Sequence, residues 1–89
     1  MIKLTSAEHQ DACKILLHFS DGSWGVYDFA DFARAGTPVT APLADPVFFR
    51  RFFIELGALA WPNGFDLSAA SLRKHLDEKG LLHHDAAAA

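Results

Sequence analysis

With 89 residues the chain has room for one domain, near the small end of what folds unaided. Just over half of the residues are apolar and eight are Phe, enough for a core without disulfides. Cys13 is the single cysteine, which excludes an internal disulfide or a multi-cysteine zinc site and points to a reducing, cytoplasmic setting. The net charge of −3 argues against a dedicated nucleic-acid binder, no apolar run approaches the ~20 residues of a bilayer span, and no secretory signal is visible.

Ile2, Lys3 and Leu4 alternate as a short first strand, and the polar residues 5–12 read as a loop. In residues 14–19, Ile15, Leu17 and Phe19 share one face. Asp21-Gly22 is a strong hairpin turn signal, and residues 24–27 return with Trp24 and Val26 on a common face. Asp28 caps a short helix over 29–35 that ends at Gly36, its Phe29, Phe32 and Ala33 recurring at helical spacing. Residues 37–44, with two prolines, make an irregular connection. Asp45-Pro46 opens a helix reaching Arg51 at most.

Residues 52–56 are a strand by aromatic and β-branched content, Gly57 turns the chain, and residues 58–61 pair back as a second hairpin. Phe52, Ile54, Leu56, Leu59 and Trp61 form the expected inward set. The chain then meets its strongest punctuation, Trp61-Pro62-Asn63-Gly64-Phe65-Asp66. Pro62 cannot continue a central strand, Asn63-Gly64 suits positive φ, and the Asp66 carboxylate is placed to bond nearby amides. Trp61, Pro62, Asn63, Gly64 and Asp66 are therefore read as a structural turn. Ser68 caps a helix over 69–76, with Leu72 and Leu76 on one edge, and Gly80 stops it. The expected domain spans 1–79, with 80–89 a flexible tail dispensable for folding.

In order, these landmarks are Phe19 with Asp21-Gly22, Val26-Tyr27-Asp28, Pro42-Leu43-Ala44-Asp45-Pro46, Phe49, and Trp61-Pro62-Asn63-Gly64-Phe65-Asp66-Leu67 followed by Leu72. Together they resemble the small bacterial domain-of-unknown-function family 2442, over about residues 1–73. The resemblance implies a small α+β domain. Some members carry an added helix-turn-helix domain, and others resemble one half of a toxin–antitoxin gene pair. This chain departs from the family in Phe65, where alanine is usual, in the polar stretch 7–12, and in a tail too short for a helix-turn-helix domain.

No constellation of catalytic residues emerges. Asp21, Asp28, Asp45 and Asp66 all lie beside turns or helix starts, where capping explains them better than acid–base chemistry. The five histidines include no His-x-x-x-His pair, so they are read as solvent-exposed groups, with no metal and no cofactor expected. Cys13 is read as a bystander thiol. Arg50 and Arg51 among four phenylalanines make too weak a phosphate track for a nucleic-acid platform. No Gly-rich phosphate loop or other small-molecule signature is present.

The expected fold class is α+β, a small antiparallel sheet built from two hairpins and packed with two or three short helices. The aromatics exceed what so small a core hides, which places Trp24, Tyr27, Phe53 and Phe65 as candidate partner-binding residues. The expected function is a non-catalytic protein-binding or regulatory module, a component of a toxin–antitoxin-like pair, acting on a protein partner or as a homodimer. The alternative is a DNA-associated transcriptional regulator or accessory subunit.

Overall fold

The computed structural model describes residues 1–84. The strands are β1 (Leu4–His9), β2 (Lys14–Phe19), β3 (Ser23–Asp28), β4 (Phe53–Glu55), β5 (Ala58–Ala60), β6 (Asp66–Leu67) and β7 (His83–His84). The helices are α1 (Ala30–Arg34), α2 (Pro46–Phe49) and α3 (Ala69–Glu78), with a 3-10 turn at Ala41–Ala44. All pairings are antiparallel, in a four-stranded sheet ordered β1-β2-β3-β7 and a three-stranded sheet ordered β4-β5-β6. The α+β class and the short helices are as expected, and the two hairpins sit in separate sheets. The first hairpin already has β1 on one side and β7 on the other, so it offers no full edge to the second. One backbone bond, Leu4 N–H to the Gly57 carbonyl at 2.8 Å, joins the two sheets.

The first hairpin forms as its sequence demands. Gly22 supplies φ +88°, and its N–H donates to the Phe19 carbonyl at 3.1 Å. Ile15, Leu17 and Phe19 face inward and are buried. The expected loop over 5–12 is corrected: β1 runs to His9, pairing Ser6 with His18 and Glu8 with Leu16 after a bulge between Leu4 and Ser6. Its inward positions beyond Leu4 hold only Ala7 and His9, so the period-two pattern carries little hydrophobic contrast.

The capping expectations hold for α2 and α3, whereas α1 starts one residue late with Phe29 at its cap position and no side-chain cap, Asp28 bonding just ahead of it. The Asp28 carboxylate accepts from Ala30 N–H (2.9 Å), Asp45 from Val47 N–H (3.0 Å), and the Ser68 hydroxyl from Ser71 N–H (3.2 Å). α3 runs two residues past the expected end and buries Ala69, Leu72 and Leu76. The Gly80 φ of +71° lets Leu81 N–H return to the Leu76 carbonyl at 2.8 Å.

The core is a single cluster drawn from both sheets and their helices, including Leu4, Ile15, Leu17, Phe19, Phe29, Leu43, Phe49, Leu59, Trp61 and Leu72. Of the inward set, Leu59 and Trp61 are buried and Phe52 is half-buried, whereas Ile54 is 37% and Leu56 95% exposed. The turn begins one residue before Gly57. Leu56 (φ +52°) and Gly57 (φ +82°) are both left-handed, so Leu56 is a turn residue and has no strand face to turn inward.

Residues 82–84 of the expected tail lie against the folded domain. His83 and His84 pair with Trp24 and Ser23 at the β3 edge, and Leu82 packs against the core. A Cβ at Gly25 would lie 2.7 Å from the Leu81 carbonyl oxygen and 3.1 Å from Leu76 Cδ1, so only glycine lets this segment approach. Residues 85–89 of the expected tail lie outside the described residues.

Candidate interaction surface

The turn after β5 anchors the aromatic core. Trp61 O accepts from Gly64 N–H (3.0 Å), and Trp61 N–H donates to the Phe65 carbonyl (2.9 Å), closing a tight loop with Gly64 at φ +91°. Asn63 locks it, its Oδ1 accepting from Phe65 N–H (3.2 Å) and its Nδ2 donating to the Val39 carbonyl (2.9 Å). The buried Trp61 Nε1–H donates to the Phe49 carbonyl at 2.9 Å, and the rings of Phe29, Phe49, Phe52 and Phe65 lie 5.6–6.3 Å from its own. Pro62 is exposed at the turn, as its missing N–H allows. Asp66 is corrected: among the described residues it makes no side-chain hydrogen bond, and Asn63 performs the bonding expected of it.

The four candidate partner-binding residues do not form one surface. Tyr27 is 4% exposed, because β3 turns Ser23, Gly25 and Tyr27 inward under α3. Its hydroxyl lies 3.1 Å from His75 Nδ1, and Lys79 Nζ stands 5.5 Å above its ring. Burial pushes the phenol pKa up, and the Asp31 carboxylate adds to it. Phe65 is half-buried, stacked 5.6 Å from Trp61. Trp24 lies on the opposite face of the four-stranded sheet, its indole between the His18 (6.1 Å) and His83 (4.5 Å) rings. Phe53 alone is at the surface, 43% exposed.

Phe53 belongs to an exposed apolar hairpin only partly visible from the sequence. β4 is an edge strand whose three residues are all exposed, and Leu56 projects from its turn. Leu56 borders two concavities. One, of about 290 Å³, is lined by Glu55, Ala58, Ala60 and Asp66; the other, of about 250 Å³, by Ile2, Gly57, Ser68, Ala69 and Ala70 among others. The apolar run around Ile54 and Leu56 resembled core sequence, and the detectable sign otherwise was Gly57, which makes a two-residue turn out of its predecessor.

The polar groups stitch elements together. Asp21 Oδ1 accepts from the Ser23 hydroxyl (2.5 Å) and N–H (2.9 Å), and its Oδ2 accepts from Arg73 Nε (2.8 Å), tying the first hairpin to α3. The Ser23 bonds, with Arg73 adding, hold the Asp21 carboxyl at a pKa of about 2. The solvent-exposed reading of the histidines holds for His18, His83 and His84 and is corrected for His9 and His75, which are half-buried. His9 packs edge-on against Phe49 with Nε2 3.0 Å from the Ala12 carbonyl, His75 meets Tyr27, and His83 stacks on Trp24. Among the described residues no three His, Cys, Asp or Glu side chains group as metal ligands. Cys13 is a half-buried free thiol, and no helix among these residues is long and apolar enough to cross a membrane.

No curated protein and no solved structure matched the chain. The model of a family described as a protein of unknown function, DUF2442, matches residues 4–78, from the start of β1 to the end of α3. That span covers both hairpins, the capped helices and the Trp61 turn, and the chain belongs to this family.

Proposed function

We propose that this chain is a non-catalytic protein-binding module of the cytoplasm, regulating a protein partner as one component of a toxin–antitoxin-like pair. The observation that supports it best is the β4–β5 hairpin, where Phe53, Ile54 and Leu56 stay exposed beside a well-filled core. Large apolar groups left exposed on a small domain are costly in water and are relieved by a partner surface. A three-residue edge strand adds backbone groups for strand pairing.

The test is affinity capture from a bacterial lysate with the full chain and with Phe53→Asp. Retention of a defined protein by the wild type, and its loss in the variant, is the expected result. An unchanged set of captured proteins in Phe53→Asp removes the hairpin from the function. Retention of duplex DNA in place of protein promotes a DNA-associated role.

A further inference from the structure

We propose that the tip of the β4–β5 hairpin recognises a second copy of this chain, Leu56 of each copy entering the concavity beside Gly57, Ala69 and Ala70 of the other. This rests on the protein-binding reading of the same hairpin and adds to it a second copy of the chain. Leu56 combines two features that its own fold does not account for. Its φ of +52° is a conformation in which a side chain is strained, and its side chain is 95% exposed. Glycine or asparagine would serve the turn better, so a leucine here answers to something outside the monomer.

The hole lies next to the knob. The concavity of about 250 Å³ is lined by Gly57, by Ala69 and Ala70 at the start of α3, and by Leu56 itself. A knob and a hole side by side on one surface suit a two-fold pair, in which each copy gives and receives the same contact. The charges agree with that arrangement. Lys3 lays its aliphatic carbons over Gly57, where a Cβ would stand 2.7 Å away, and so sits against one of the residues that line the hole. Glu55 precedes Leu56 and travels with it, toward Lys3 of the second copy. Neither Lys3 nor Glu55 has an ionic partner in its own chain among the described residues. Exposed pairs of this kind set register more than affinity.

Sedimentation equilibrium of the full chain from micromolar to several hundred micromolar tests the pair. Wild type should show a concentration-dependent dimer. Leu56→Asn, which keeps a residue at ease with positive φ, should weaken association by about tenfold or more with an undiminished melting temperature at low concentration. Lys3→Glu should also weaken it, and Lys3→Glu combined with Glu55→Lys should restore it. A wild type that stays monomeric throughout, or a dimer indifferent to Leu56→Asn, overturns the proposal. A monomer that still captures a lysate protein through Phe53 overturns the second copy while leaving the protein-binding reading in place.

Discussion

At the scale of single residues, Gly64 and Asp21 carry demands that neighbours cannot share. Gly64 sits at φ +91° with no atom within 4 Å of where a Cβ would be, so substitution strains the backbone without a clash. Gly64→Val should cost about 1–2 kcal/mol or more, a large part of a margin near 5 kcal/mol. His75→Ala, which removes the Tyr27 bond, should cost about 1 kcal/mol, and the exposed His84→Ala still less. Thermal melts of the three rank them, and equal midpoints for Gly64→Val and His84→Ala would deny Gly64 its role. Asp21 sets an acid limit. Its pKa falls from 3.8 to about 2 in the fold, so its contribution is complete above 3.8 and is lost as the pH drops through about 2. Acid melts of Asp21→Asn should therefore decline less steeply over that interval than those of the wild type.

At the scale of elements, the segment after α3 changes standing. A chain ending at Lys79 loses the Leu82 contacts, the β7 pairing and the His83–Trp24 stack, and it uncovers Leu76 beside Gly25. Its melting temperature should fall by several degrees, in line with a loss of about 1–3 kcal/mol. An unchanged melt would return residues 81–84 to the status of a dispensable tail. Helix α3 depends on tertiary burial, since ten residues are too few for a stable isolated helix. Leu72→Ala should cost about 2–5 kcal/mol and lower the helical circular dichroism and the whole-chain midpoint together.

At the scale of the whole molecule, one core spans both sheets, although a single backbone bond joins them directly. Trp61 reports on the second sheet, and α3 packs on the first through Arg73–Asp21 and His75–Tyr27. In a Trp24→Phe variant, Trp61 fluorescence and helical circular dichroism should follow the same denaturant transition. Separated midpoints would mean that the two sheets unfold independently.

Local chemistry was legible in the sequence by itself. Asp21-Gly22, Asp45-Pro46, Asn63-Gly64 and Ser68 act within a few residues, so the first hairpin, the starts of α2 and α3 and the central turn follow from spacing alone. Only the tertiary structure decided which apolar residues are covered. Ile54 and Leu56 look like core until a two-residue turn and an edge position leave them outside, and Tyr27 looks like surface until α3 lies over it. The same holds for β1 and β7, whose residues form strands because an edge of β2 or β3 is there to receive them. Burial and strand pairing belong to residues distant in the chain, and no pattern confined to one segment encodes which of them will meet.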